Sequence, residues 1–85
     1  MSEQAVREQA WTAALDALES LLDRQRDFIN GEGPMPNTPW ESPASELPAS
    51  VRARALVLAA TCDEVEGELR TLLYRRANPL VSPYR

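Results

Sequence analysis

The chain has 85 residues, of which 44% are hydrophobic, a net charge of −4 and a sequence pI near 4.7. That describes one small domain with enough apolar content for a core and too much for a wholly disordered chain. The acidic balance disfavours broad binding to nucleic-acid phosphates or to an anionic membrane surface, so neither is an expected partner.

Residues 2–30 read as a first helix. Ser2 is placed to cap it, and Glu3 puts negative charge in the first turn, where the helix dipole favours it. Trp11, Leu15, Leu18, Leu22 and Ile29 recur at steps of three and four, with Gln25 as the polar interruption. Ala14, Leu21 and Phe28 lie beside this series and widen it into a bundle-type face. Asn30-Gly31 supplies the stop, since glycine tolerates the left-handed conformation past a helix end.

Residues 31–47 carry Pro34, Pro36, Pro39 and Pro43 with Gly31 and Gly33, a composition that excludes a regular helix. The segment is long for a connector, and its one large aromatic residue is Trp40. Two uses of Trp40 are open at this point. It folds back to cap one end of the helices, which is favoured because an isolated exposed Trp is unfavourable, or it anchors a partner.

Residues 48–77 read as the second helix, opened by Pro48 at a position proline suits. Val51, Ala55, Leu58, Cys62, Val65, Leu69 and Leu72 alternate steps of four and three without a break, the strongest regularity in the chain. Ala59 and Leu73 broaden this stripe. Arg70, Arg75 and Arg76 suit the dipole at its C-terminal end, whereas Arg52 and Arg54 at its start do not and call for acidic neighbours or a partner. Asn78-Pro79 ends the helix, and residues 78–85 form a short tail.

The expected fold is therefore all-α: a single helical-hairpin domain over 1–85, with two long antiparallel helices joined by a proline-rich loop. Each stripe is wider than the line one partner helix covers. A homodimeric four-helix bundle, or docking on a helical protein partner, follows from that. The expected dimer or partner face is Trp11, Leu15, Leu18, Leu22, Trp40, Leu58, Cys62, Val65, Leu69 and Leu72.

Enzyme chemistry has little to stand on. The chain has one cysteine, Cys62, and no histidine, which excludes His-based acid–base catalysis, Ser-His-Asp triads and Cys/His zinc sites within one chain. No catalytic or cofactor-binding residue is assigned, and no cofactor is expected. The rival reading is a metal-dependent nucleotide or phosphate-ester hydrolase. It rests on Asp16 with Glu19 and Asp63 with Glu66, each pair one helical turn apart and able to share Mg²⁺. These residues fall on outer positions, so a solvated acidic face is the favoured reading. Cys62 reads as a small buried hydrophobe rather than a nucleophile. The N-terminal run MSEQAVREQA is polar, and no apolar run approaches the ~20 residues of a membrane span, so a cytoplasmic protein is expected.

Two families of helical hairpins bear comparison. Secreted WXG-type proteins carry a Trp between two helices, but Trp40-Glu41-Ser42 lacks the glycine and the loop is far longer than their tight turn. The second resemblance rests on a Trp-bearing, Leu-rich first helix (Trp11, Leu15, Leu18, Leu22), a loop with Trp40 and Pro43, and Leu47-Pro48 leading into Arg52-Ala53-Arg54-Ala55-Leu56. In this the chain resembles the small flagellar export chaperones. The resemblance implies that an apolar helical face shields a partner's aggregation-prone helix, and it carries over no specific binding residue. A regulatory adaptor such as a sigma-factor antagonist, acting by protein contact, is a further reading of the same features.

Overall fold

The computed structural model describes residues 2–77. The expected tail therefore lies outside the described residues, as does the Asn78-Pro79 stop. Within them the chain is all-α: helix α1 (Glu3–Ile29), a single 3₁₀ turn (Ala49–Val51) and helix α2 (Arg52–Ala77), with the two long helices packed together.

The ends of α1 form where the local chemistry places them. The Ala5 N–H donates to Ser2 Oγ at 3.2 Å, which satisfies one of the amides left without an intrahelical acceptor. At the other end Gly31 sits at φ +77°, and its N–H donates to the Phe28 carbonyl while Glu32 N–H donates to that of Asp27. This is the Schellman closure that a glycine beyond a helix end permits. Pro48 precedes the 3₁₀ turn in an extended conformation and accepts from Val51 N–H, so α2 proper begins at Arg52 rather than at Pro48.

The direction of α2 differs from the antiparallel hairpin expected above. Arg54 pairs with Asp16 at 2.6 Å, and Glu64 pairs with Arg26 at 3.6 Å. Between each pair of positions both helices advance about 15 Å, at ~1.5 Å per residue. The two contacts coexist only if the helices run the same way. The Arg76 guanidinium, 5.1 Å from the Phe28 ring, likewise brings the C-terminal part of α2 to the C-terminal end of α1. The loop makes this possible. An extended segment spanning 30–48 reaches about 60 Å at ~3.3 Å per residue, more than the ~40 Å length of α1. It returns along the first helix before α2 starts.

The loop is held on that path by side chains. Among the described residues no backbone–backbone hydrogen bond joins the stretch 33–47 to anything. Instead Trp40 Nε1–H donates to the Ala14 carbonyl at 2.7 Å, and Trp11 Nε1–H donates to the Ser45 carbonyl at 3.2 Å. Each indole spans the gap between loop and helix in one direction. Prolines at 34, 36, 39 and 43 limit the entropy lost when the loop is laid down.

The core is thin. Leu15, Leu18 and Leu22 of α1 meet Leu58, Val65 and Leu69 of α2, and Trp11, Phe28, Ile29, Trp40, Val51, Ala55 and Cys62 pack around them. The width of the α1 stripe is now explained without a second chain on that side. Part of it is covered by α2 and part by the chain's own loop. Trp40 packs internally, as favoured from the sequence, although it rests against the middle of α1 rather than at an end.

Candidate functional site

Successive residues of a helix turn by 100°, so α1 presents distinct flanks. Leu15, Leu18 and Leu22 point at α2. Ala17, Leu21 and Arg24 lie a third of a turn away and form a cleft with Thr38, Pro39 and Trp40 of the loop. Between those two contacts lies a groove of about 230 Å³. It is lined by Leu18, Leu21, Leu22 and Gln25 of α1 and by Cys62, Glu66 and Leu69 of α2. Leu21 is its shared wall with the Trp40 cleft. Leu73, one turn past Leu69, is 47% exposed and continues the apolar line.

The opposite side of the α1–α2 seam has a different chemistry. There Arg54 reaches both Asp16 at 2.6 Å and Glu19 at 3.3 Å, and Arg26 reaches Glu64 at 3.6 Å. From Arg54 to Glu64 that edge of the seam is bridged by charge, whereas the groove on the other edge is apolar and open. The hydrogen bonds that Arg54 donates to Asp16 and then to Glu19 hold its guanidinium still more firmly in its charged form. The misfit of a cation at the start of α2 is thereby accounted for: the acidic neighbours that Arg54 calls for are on α1.

The residues expected to form a dimer or partner face are largely used within the chain. Leu15, Leu18, Leu22, Leu58, Val65 and Leu69 are buried, and Trp11, Trp40, Cys62 and Leu72 are half-buried. Of these, only Leu18, Leu22, Cys62 and Leu69 line the open groove.

The four carboxylates of the hydrolase reading are not brought together. Asp16 and Glu19 share Arg54, Glu66 pairs with Arg70 on its own helix at 3.1 Å, and Asp63 is exposed on another face of α2. Among the described residues no group of three or more Cys, Asp or Glu side chains is arranged to hold a metal ion. Cys62 lies in the groove with its thiol pushed above the usual range, first by burial and then by the negative charges of Asp63 and Glu66. A raised thiol is a weaker nucleophile at neutral pH, in keeping with a packing role.

One surface feature was not anticipated from the sequence. Leu56 and Val57 are each 65% exposed, the most exposed of the large apolar residues among those described. Their signal was present in the sequence. They are consecutive large apolar residues, and a 100° wheel sets them away from the unbroken Leu58–Cys62–Val65–Leu69 series. Arg52 beside them, which like Arg54 called for acidic neighbours or a partner, has no ion-pair partner among the described residues.

Among the described residues no helix is long and apolar enough to cross a membrane. No family model, no curated protein and no solved structure matches this chain. The likeness to flagellar export chaperones thus stands on the residue pattern alone, and the groove is the feature on which a function has to be argued.

Proposed function

We propose that this chain is a non-enzymatic protein-interaction module, a chaperone or adaptor of the cytoplasm, which accepts an amphipathic helix of a partner in the groove between α1 and α2. The observation that carries this reading is the open apolar edge of the seam: Leu18, Leu21, Leu22, Cys62 and Leu69 side by side, with only Gln25 and Glu66 as polar members. A helix laid along two roughly aligned helices would complete a three-helix unit, burying its own stripe against theirs. Glu66 and the net charge of −4 favour a partner helix with basic residues flanking its apolar stripe.

The test starts from Leu21, replaced by a photo-crosslinking phenylalanine analogue, with the same replacement at the exposed Gln9 as control. A crosslinked segment, mapped by mass spectrometry, is synthesised and titrated against the purified protein by fluorescence anisotropy. Expected are crosslinks from position 21 to a helical, amphipathic segment and at least a tenfold loss of affinity in Leu21→Asp. Equal crosslinking from both positions, or unchanged affinity in Leu21→Asp, overturns the assignment.

A further inference from the structure

The face of α2 turned away from α1 carries a second apolar surface, unrelated to the groove. Ala53, Leu56, Val57 and Ala60 are all exposed there, and on the helical wheel they centre on the side opposite the buried line of Leu58, Val65 and Leu69. On one flank of this patch stand Arg52 and Asp63, both exposed, neither with an ion-pair partner among the described residues.

The arrangement is self-complementary about a two-fold axis. An antiparallel contact between two α2 helices pairs residues whose numbers have a constant sum. With the axis passing between Leu56 and Val57 that sum is 113, so Leu56 falls level with Val57 of the second copy, and each lies within about 1.5 Å, along the axis, of its own copy. Ala53 then falls opposite Ala60 of the second copy, and their small side chains let the helices approach closely. In the same register Arg52 comes within about 3 Å of axial alignment with Asp63 of the second copy, at ~1.5 Å per residue. Both lie on the same flank, and flanks pair like with like across an antiparallel two-fold. A parallel two-fold would instead put the charged flanks of the two copies on opposite sides and leave these ions apart.

We propose that this face is a homodimer interface: a second copy packs antiparallel on the outer face of α2, with Leu56 and Val57 at the centre and an Arg52–Asp63 ion pair at each end. The occupant is a second copy because the charge pattern is complementary to itself under that one rotation. Four short apolar residues per copy bury less than the ~1,200 Å² of a standard stable interface. The dimer is accordingly weak and salt-sensitive.

Sedimentation of the full chain over a concentration series tests this. The wild type dimerises reversibly. Arg52→Glu and Asp63→Arg each weaken self-association at least fivefold, because each dimer then holds two like-charged pairs. An equimolar mixture of the two variants recovers it, since the mixed dimer has an opposite-charge pair at both ends. Leu56→Glu abolishes dimers while circular dichroism retains its helical signal. A wild type that stays monomeric up to millimolar concentration overturns the proposal. So does a dimer that Leu56→Glu leaves intact, or a mixture that associates no better than its components. Crosslinking from Leu21 reads out on a different side of α2, so failure of this interface and failure of the groove reading are separable.

Discussion

Helices α1 and α2 have nearly equal lengths, 27 and 26 residues, and similar apolar spacing, yet they end up differently covered. Helix α1 is held on two flanks, by α2 and by the returning loop. Helix α2 is held by α1 alone and leaves Leu56 and Val57 65% exposed on its outer face. Burial here follows from what the connection brings alongside each helix more than from the apolar content of the helix. Two indole hydrogen bonds, Trp40 to Ala14 and Trp11 to Ser45, are what convert a connector into a wall for one helix and not for the other.

The sharpest way to break the comparison is to test the direction that creates it. Spin labels at Gln9 and Thr71, in a Cys62→Ala background, lie about 35 Å apart if α2 runs parallel to α1, at ~1.5 Å of rise per residue. In an antiparallel hairpin the same positions would lie abreast, separated by little more than the ~10 Å between helix axes. A short distance by double electron–electron resonance would remove the basis for a returning loop.

Substitutions then grade the two helices. Leu15, 2% exposed, lies in the thin core, and Leu15→Ala is expected to cost about 3 kcal/mol in urea unfolding, through lost burial and the cavity left behind. For a domain this small that is a large share of total stability. Leu56→Ala changes the same residue type on the outer face of α2, and the monomer is expected to lose less than about 0.5 kcal/mol. Comparable costs at the two positions would mean that α2 is not the less covered helix.

Between those limits lies the loop. Trp40→Phe keeps most of the ring but removes the donor to the Ala14 carbonyl, and about 1 kcal/mol is expected. Trp40→Ala is expected to expose 33–47 to limited proteolysis while both helices keep their circular dichroism. If protease resistance survives Trp40→Ala, the indole is not what secures the loop.

The smallest effect expected is chemical. Burial, then Asp63 and Glu66, raise the Cys62 thiol above its ordinary value. The folded state therefore holds the proton more tightly than the unfolded one. Its contribution to stability is complete below the unfolded thiol pKa and is lost as pH rises through the folded value. Alkylation of Cys62 at pH 8 is expected to be slower than that of a free thiol, and its rate to rise at higher pH. Asp63→Asn would move that rise back toward the ordinary range, and an unchanged profile would leave burial and Glu66 as the causes.

The sequence by itself determined the two helices, the caps of α1 and the buried stripes of both. Ser2, Asn30-Gly31 and the unbroken Leu58–Cys62–Val65–Leu69 spacing act within a few residues of themselves, and local signals of that kind are legible without a partner. It also indicated that Arg54 needed acidic company and that Trp40 would turn inward. What only the tertiary structure decided was direction and cover: that α2 runs parallel to α1, that the loop walls one flank of α1, and that the groove opens beside Leu21. Periodicity is the same read in either direction along a helix, so a stripe says which face is buried and not which way its partner runs. That choice rests on contacts between residues far apart in the chain, Asp16 with Arg54, Arg26 with Glu64 and Ala14 with Trp40, which no local pattern encodes.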